Sequence, residues 1–186
     1  MRYSIKIALW TGIFALLIAI RGNAQDNVIS KNFSSWENDR TFTVVTISGK
    51  MFSLFTDIET SDPEDQAILD AISKLSGLRL ITKDNISNGF DLYKRALDKI
   101  PSDDYVELMT VREEDSDIKF LIREKGAVIS ELVMVMGSDH EFLVLSLYGI
   151  IDLDQISKLS KKVDIDGLEE LDKLKEKDKE KEKSKN

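Results

Sequence analysis

Acid–base or nucleophilic chemistry has little to draw on in this chain. It holds one histidine, His140, and no cysteine, so thiol nucleophiles are ruled out and a zinc site has almost no nitrogen or sulfur donors. His140 sits in Gly137-Ser138-Asp139-His140, between two apolar runs. Gly137 and Asp139 are ordinary turn formers, and no GxSxG or similar nucleophile motif is present to be served by a base. The histidine therefore reads as a turn residue. Carboxylates are plentiful, and Glu113, Glu114, Asp115 and Asp117 crowd one short stretch. That stretch lacks the glycine and the final glutamate of a calcium-binding loop, so it reads as a solvated hairpin tip. Neither a phosphate-binding loop nor a dinucleotide fingerprint occurs. No enzyme is expected, and no catalytic, cofactor-binding or metal-binding residue is assigned.

What remains is a surface. Met51, Phe52, Leu54 and Phe55 crowd one helical stretch more densely than a single buried stripe requires, and Met134 and Met136 share one face of a strand. Methionine and phenylalanine adapt to irregular apolar partners, so these six are the candidate contacts for a protein partner or an apolar small molecule. Core filling competes with that reading at every one of them.

The elements that would position these residues follow from periodicity. Ile29, Phe33 and Trp36 have helical spacing, which predicts a short amphipathic segment over residues 25–40. Residues 41–48, TFTVVTIS, are β-branched and predict a strand. A helix carrying Met51 to Phe55 and Ile58 follows. Another starts at Asp62-Pro63 with Ile68, Leu69, Ile72 and Leu75 as its stripe, and ends at Gly77. Residues 78–82 suit a short strand, and Phe90, Tyr93, Ala96, Leu97 and Ile100 line a helix that stops before Pro101.

From Tyr105 the rhythm becomes strand-like, in four runs broken by EEDSD, EKG and GSDH. They predict a four-strand antiparallel meander, its last two runs buried on both faces. Ile118, Phe120 and Ile122 alternate with Lys119, Leu121 and Arg123, which predicts one wet face for the second run. Asp152 and Gln155 have capping-box spacing before a final helix with Leu153, Ile156 and Leu159. The expected fold is α+β: a mostly antiparallel sheet with helices mainly on one face, in a single domain over residues 41–171.

The two ends differ from this body. Arg2 and Lys6 precede an apolar run from Ile7 to Ile20, and Gly22-Asn23-Ala24 offers a small-x-small cleavage pattern, as in a secretory signal peptide. Cleavage after Ala24 is expected, and any membrane association would come only from an uncleaved signal segment. Residues 172–186 hold seven lysines and five acids with one apolar side chain, which predicts a frayed helix, coiled coil or disordered tail. The chain carries −8, of which the first 24 residues contribute +3 and the last fifteen +2, leaving −13 for the body. Such a surface repels phosphate backbones, so nucleic acid is not an expected partner.

VTISGKMFSLF, SGLRLIT, YVELMTVREEDSDIKFLIREKGAVISELVMVMG and LVLSLYGIIDLDQISKLSKKVDIDGLEELDKL together resemble domain-of-unknown-function family 4252, in order over roughly residues 30–174. The resemblance implies export in Gram-negative bacteria, a single small α+β domain, and no established activity or catalytic residues to carry over. Lipidated members need a cysteine, which this chain lacks, so soluble periplasmic residence is expected instead. The functional expectation is a noncatalytic exported protein acting by protein contact in envelope maintenance or signalling. The alternative is a carrier or sensor of an apolar small molecule held between the sheet and the helix of Met51 to Phe55. A carboxylate-pair enzyme ranks third, and neither the oligomeric state nor the strand order can be read from the sequence.

Overall fold

The computed structural model describes residues 27–56, 60–153 and 155. The expected signal segment, Ile58, most of the C-terminal helix and the lysine-rich tail lie outside the described residues.

The aromatic N-terminal stretch forms two short helices, α1 (Val28–Asn32) and α2 (Ser34–Glu37), where one was predicted. Asn27 caps α1 by accepting from Ser30 N at 2.9 Å. The chain bends at Phe33, and the bend brings Ile29, Phe33 and Trp36 onto one core. Next, Asp39 builds a turn: Thr41 N donates to its Oδ1 at 2.9 Å, and Phe42 N to its carbonyl at 3.1 Å. This turn delays β1 (Thr43–Ser48) by two residues relative to the sequence expectation. Ser48 then caps α3 (Gly49–Phe55), accepting from Met51 N.

Helix α4 (Pro63–Ser73) ends earlier than expected, and β2 (Leu75–Asp84) is twice as long as residues 78–82 suggested. Leu75 and Gly77, read as the end of the helix, belong to the strand. The reason is distant pairing, since β2 bonds to the last strand from Leu75 to Asp84 and to β1 from Gly77 to Thr82. Gly77 serves the strand by its missing side chain. A Cβ there would lie 2.2 Å from the hydroxyl of Tyr148, whose ring covers that position. Helix α5 (Gly89–Lys99) stops before Pro101 as predicted.

The four predicted runs become β3 (Val106–Arg112), β4 (Ser116–Lys125), β5 (Val128–Ser138) and β6 (Glu141–Ile151), each antiparallel to the next. The six strands form one open sheet in the order β1-β2-β6-β5-β4-β3. The two least alternating strands, β5 and β6, are therefore central, which is why they are apolar on both faces.

One face carries α1, α2 and α5. Ile81, Val133, Val135, Phe142 and Val144 meet Val28, Phe33, Trp36, Leu92, Tyr93 and Ala96 there. The other face gathers Ile118, Phe120, Ile122, Leu132, Met134, Met136, Leu145 and Leu147, with Phe52 of α3 packed against them. Helix α5 sits close on the sheet because two glycines oppose each other: a Cβ on Gly137 would meet Tyr93 Cβ at 2.5 Å and the Gly89 carbonyl at 2.8 Å. None of the described helices is long and apolar enough to cross a membrane.

Phe142 anchors the first face, with Trp36 edge-on at 5.2 Å and Phe42 at 6.4 Å between ring centroids. It is fully buried, so Phe142→Ala should lower stability by about 3–5 kcal/mol in urea unfolding. Val106, which is 60% exposed at the far edge, should cost less than about 1 kcal/mol when changed to alanine.

Candidate functional site

Glu131 is the one charged residue of β5, beside Ser130 and ahead of the apolar run from Leu132 to Met136, and is completely buried. The register places it between Tyr148 of β6 and Arg123 of β4. Its Oε1 accepts from Val28 N at 2.7 Å and from Ser146 Oγ at 2.6 Å. Its Oε2 accepts from Tyr105 Oη at 2.7 Å and faces Arg123 Nη2 at 2.7 Å. Four donors on two oxygens compensate the removal of the charge from water. The same arrangement corrects the reading of β4: Arg123 does not sit on a wet face, because Tyr105 and the N-terminal helices cover that end of the row. The guanidinium lies 5.5 Å from the Tyr105 ring.

These contacts leave the carboxylate no open side from which to act on a substrate, so its role is structural. The three tyrosines that follow residue 24 share the same face of the sheet, and their phenols are all shifted upward. Burial, then the Glu131 charge, push Tyr105 far above the ordinary tyrosine range. Burial, then the charge of Asp117, raise Tyr93 to about 12. Tyr148 is raised by burial.

The six sequence-derived contact residues are not brought together. Met134 and Met136 are 0% and 7% exposed and fill the second face of the core. Phe52 packs against that same cluster. Met51 and Leu54 point outward at 47% and 56% exposure, and the side chain of Phe55 lies outside the described set. His140 is exposed at the β5–β6 turn, where its N–H donates to Ser138 Oγ and its carbonyl accepts from Ile86 N. Glu113, Glu114 and Asp115 are exposed at the β3–β4 tip, and Asp117 pairs with Arg112 at 3.2 Å. Among the described residues, no three acidic or histidine side chains gather as metal ligands.

Met51 and Leu54 stand beside something the sequence reading overlooked. Strand β1 is an edge of the sheet, and its sequence TVVTIS has no charge, no proline and no register shift against β2. Five of its six residues are exposed. The opposite edge, β3, is guarded: its pairing with β4 shifts register between Glu107 and Met109, and Glu107 binds Lys119 at 2.7 Å. Exposed strand edges are normally blunted in the manner of β3, so β1 is the exception. Its sequence offered only a negative signal, since TVVTIS carries none of the charges, prolines or glycines that blunt an edge.

A second feature lies on the opposite side of β2. A cleft of about 330 Å³ opens where α2, the Asp39 turn, the end of β2 and the start of α5 meet. Trp36 and Phe42 stack in its wall at 5.3 Å and 8°.

Residues 35–159 match the family described as Domain of unknown function (DUF4252), well over half of the chain. The chain belongs to the DUF4252 family. No curated protein and no solved structure matches it. The DUF4252 match takes in the whole sheet and α5, and with them Glu131, Arg123, Tyr105 and Ser146. It begins after Val28, so the backbone donor to Glu131 comes from outside the matched span.

Replacing Glu131 with Gln removes the charge and leaves Arg123 facing a neutral amide in a buried site. The expected loss is about 3–5 kcal/mol of unfolding free energy, read from denaturant titration. A second expectation concerns alkaline pH. Each phenol holds its proton more tightly in the folded chain than in the unfolded one. The associated stabilisation is therefore complete below the unfolded value of 10.0 and is lost as pH rises through about 12 for Tyr93. Tyrosinate absorption should rise together with the loss of circular dichroism, and a separate earlier ionisation step would contradict the burial of these rings.

Proposed function

We propose that this DUF4252 protein is an exported, noncatalytic interaction module of the cell envelope that takes up an extended segment of a partner protein along β1. The reading is carried by one observation: an uncharged, bulge-free edge strand stands exposed beside Met51 and Leu54, while the other edge is guarded. Added strands bind through backbone hydrogen bonds, and alternate side chains give them selectivity. Val44 and Val45, 37% and 38% exposed, would contact the incoming strand on its two faces, with Met51 and Leu54 as an apolar margin.

Charge favours a different protein over a second copy as the occupant. With −13 on the body, two copies laid edge to edge repel each other, whereas a neutral or basic extended segment does not. Export is supported by Arg2 and Lys6, the apolar run and the Gly22-Asn23-Ala24 pattern, and periplasmic residence by the absence of a cysteine for lipid attachment.

Crosslinking in intact cells, followed by purification, tests this directly. A reproducible partner is expected whose binding protects the amides of residues 43–48 from hydrogen exchange. Val44→Lys combined with Thr46→Lys should abolish both the capture and the protection while leaving the fold intact. Capture that survives the double change would refute the edge as the contact. Concentration-dependent dimerisation through residues 43–48 would replace the partner with a second copy.

A further inference from the structure

We propose that the second face of the sheet is the docking site of the chain's own C-terminal segment, residues 153–163, laid across β6, β5 and β4 so that this face is closed to other molecules. The edge strand plays no part in it. The evidence begins with one row of paired residues: Val45, Leu80, Leu145, Met134, Phe120 and Met109 stand side by side in register from β1 to β3. Directly paired residues project from the same face of a sheet. Their exposure is uneven. Val45 is 38% exposed and Leu80 half-buried, whereas Leu145, Met134 and Phe120 are buried, and Met109 is half-buried again.

An apolar sheet face is buried only by another layer laid on it. Helices α1, α2 and α5 are committed to the opposite face. Helix α3 makes its main sheet contacts with β1 and β2, the end of the row where exposure is greatest, and α4 packs on α3. Among the described helices, none has its main contacts over the buried middle of the row.

The occupant is named by where β6 ends. Leu153, two residues past Ile151, already packs against this cluster. Asp152 turns the chain there, accepting from Gln155 N at its Oδ1 (3.3 Å) and at its carbonyl (3.1 Å). Ile156, Leu159 and Val163 then continue from Leu153 at helical spacing. A helix over residues 153–163 would be about 16 Å long. The three strand spacings from β6 to β3 come to about 14 Å, so the stripe is long enough to cross the buried part of the row. Charge agrees: three lysines against Asp154 give residues 153–163 a charge of +2, beside a body at −13 whose second copy would be repelled.

Methyl-labelled methionine, isoleucine, leucine and valine in the isolated full-length protein provide the test. Met109, Met134 and Met136 report from this face, and Met51, 47% exposed on α3, is the control. Nuclear Overhauser contacts are expected, within one chain, between the Met134 or Met136 methyl and the methyls of Ile156, Leu159 or Val163. Ile156→Asp combined with Leu159→Asp should shift the Met134 and Met136 methyls, leave Met51 in place and raise the fluorescence of an added apolar dye several-fold. Lys158→Asp combined with Lys161→Asp puts the same two aspartates on the other side of the segment and should do neither. The contacts in the unaltered protein decide the matter even if the first pair fails to fold. The proposal is overturned if they run instead to residues 1–24, arise only between differently labelled copies, or are absent. It is equally overturned if a folded Ile156→Asp, Leu159→Asp protein leaves the Met134 and Met136 methyls unmoved.

Discussion

One buried carboxylate organises this molecule. A charge with no exposure survives in the interior only if every lone pair is answered, and Glu131 is answered by a backbone amide, a serine, a tyrosine and an arginine. Each donor arrives on a different element: α1, β6, the lead-in to β3, and β4. Their positions are consequently not independent. A slip of β5 by one residue would turn the carboxylate toward the opposite, wholly apolar face and leave Arg123 facing a methyl or methylene group. Apolar packing alone would tolerate several arrangements of strands as uniformly greasy as β5 and β6. The carboxylate selects among them.

The sheet divides labour between its faces and its edges. Its two faces are spent on cohesion: one under α1, α2 and α5, the other over a methionine- and leucine-rich layer. What stays uncovered is then at the margins. The guarded edge at β3 and the bare edge at β1 differ in charge and in regularity.

Much of the fold was legible because its strongest signals are local. The meander from Val106 to Ile151 follows from alternation and turn residues, and the ends of α5 from Pro101 and its apolar stripe. The misreadings came where distant partners overrule local preference. Leu75 fits a helical stripe, yet β6 claims it through Gly149, and Gly77 looks like a helix stop when its purpose is to admit the ring of Tyr148. The alternation of Lys119 and Arg123 implies a solvated face because nothing near them in sequence announces Tyr105 folding over Arg123. The candidate contacts fared unevenly for the same reason. Met134 and Met136 have the adaptable chemistry of a binding surface, but the central position of β5 consigns them to the core. Glu131 itself was visible as a lone acid in an apolar run. Its donors were not, being spread over more than a hundred residues.

That spread bears on how the chain can reach its final state. The contact between Val28 and Glu131 spans 103 residues, so α1 can meet Ile81 and α5 early but cannot be fixed by the carboxylate until β5 has left the ribosome. Before then α1 and α2 are too short to persist on their own, and the central strands lack the carboxylate's partners. In vectorial synthesis the register of the central strands is therefore settled late, when α1 and β5 can first meet.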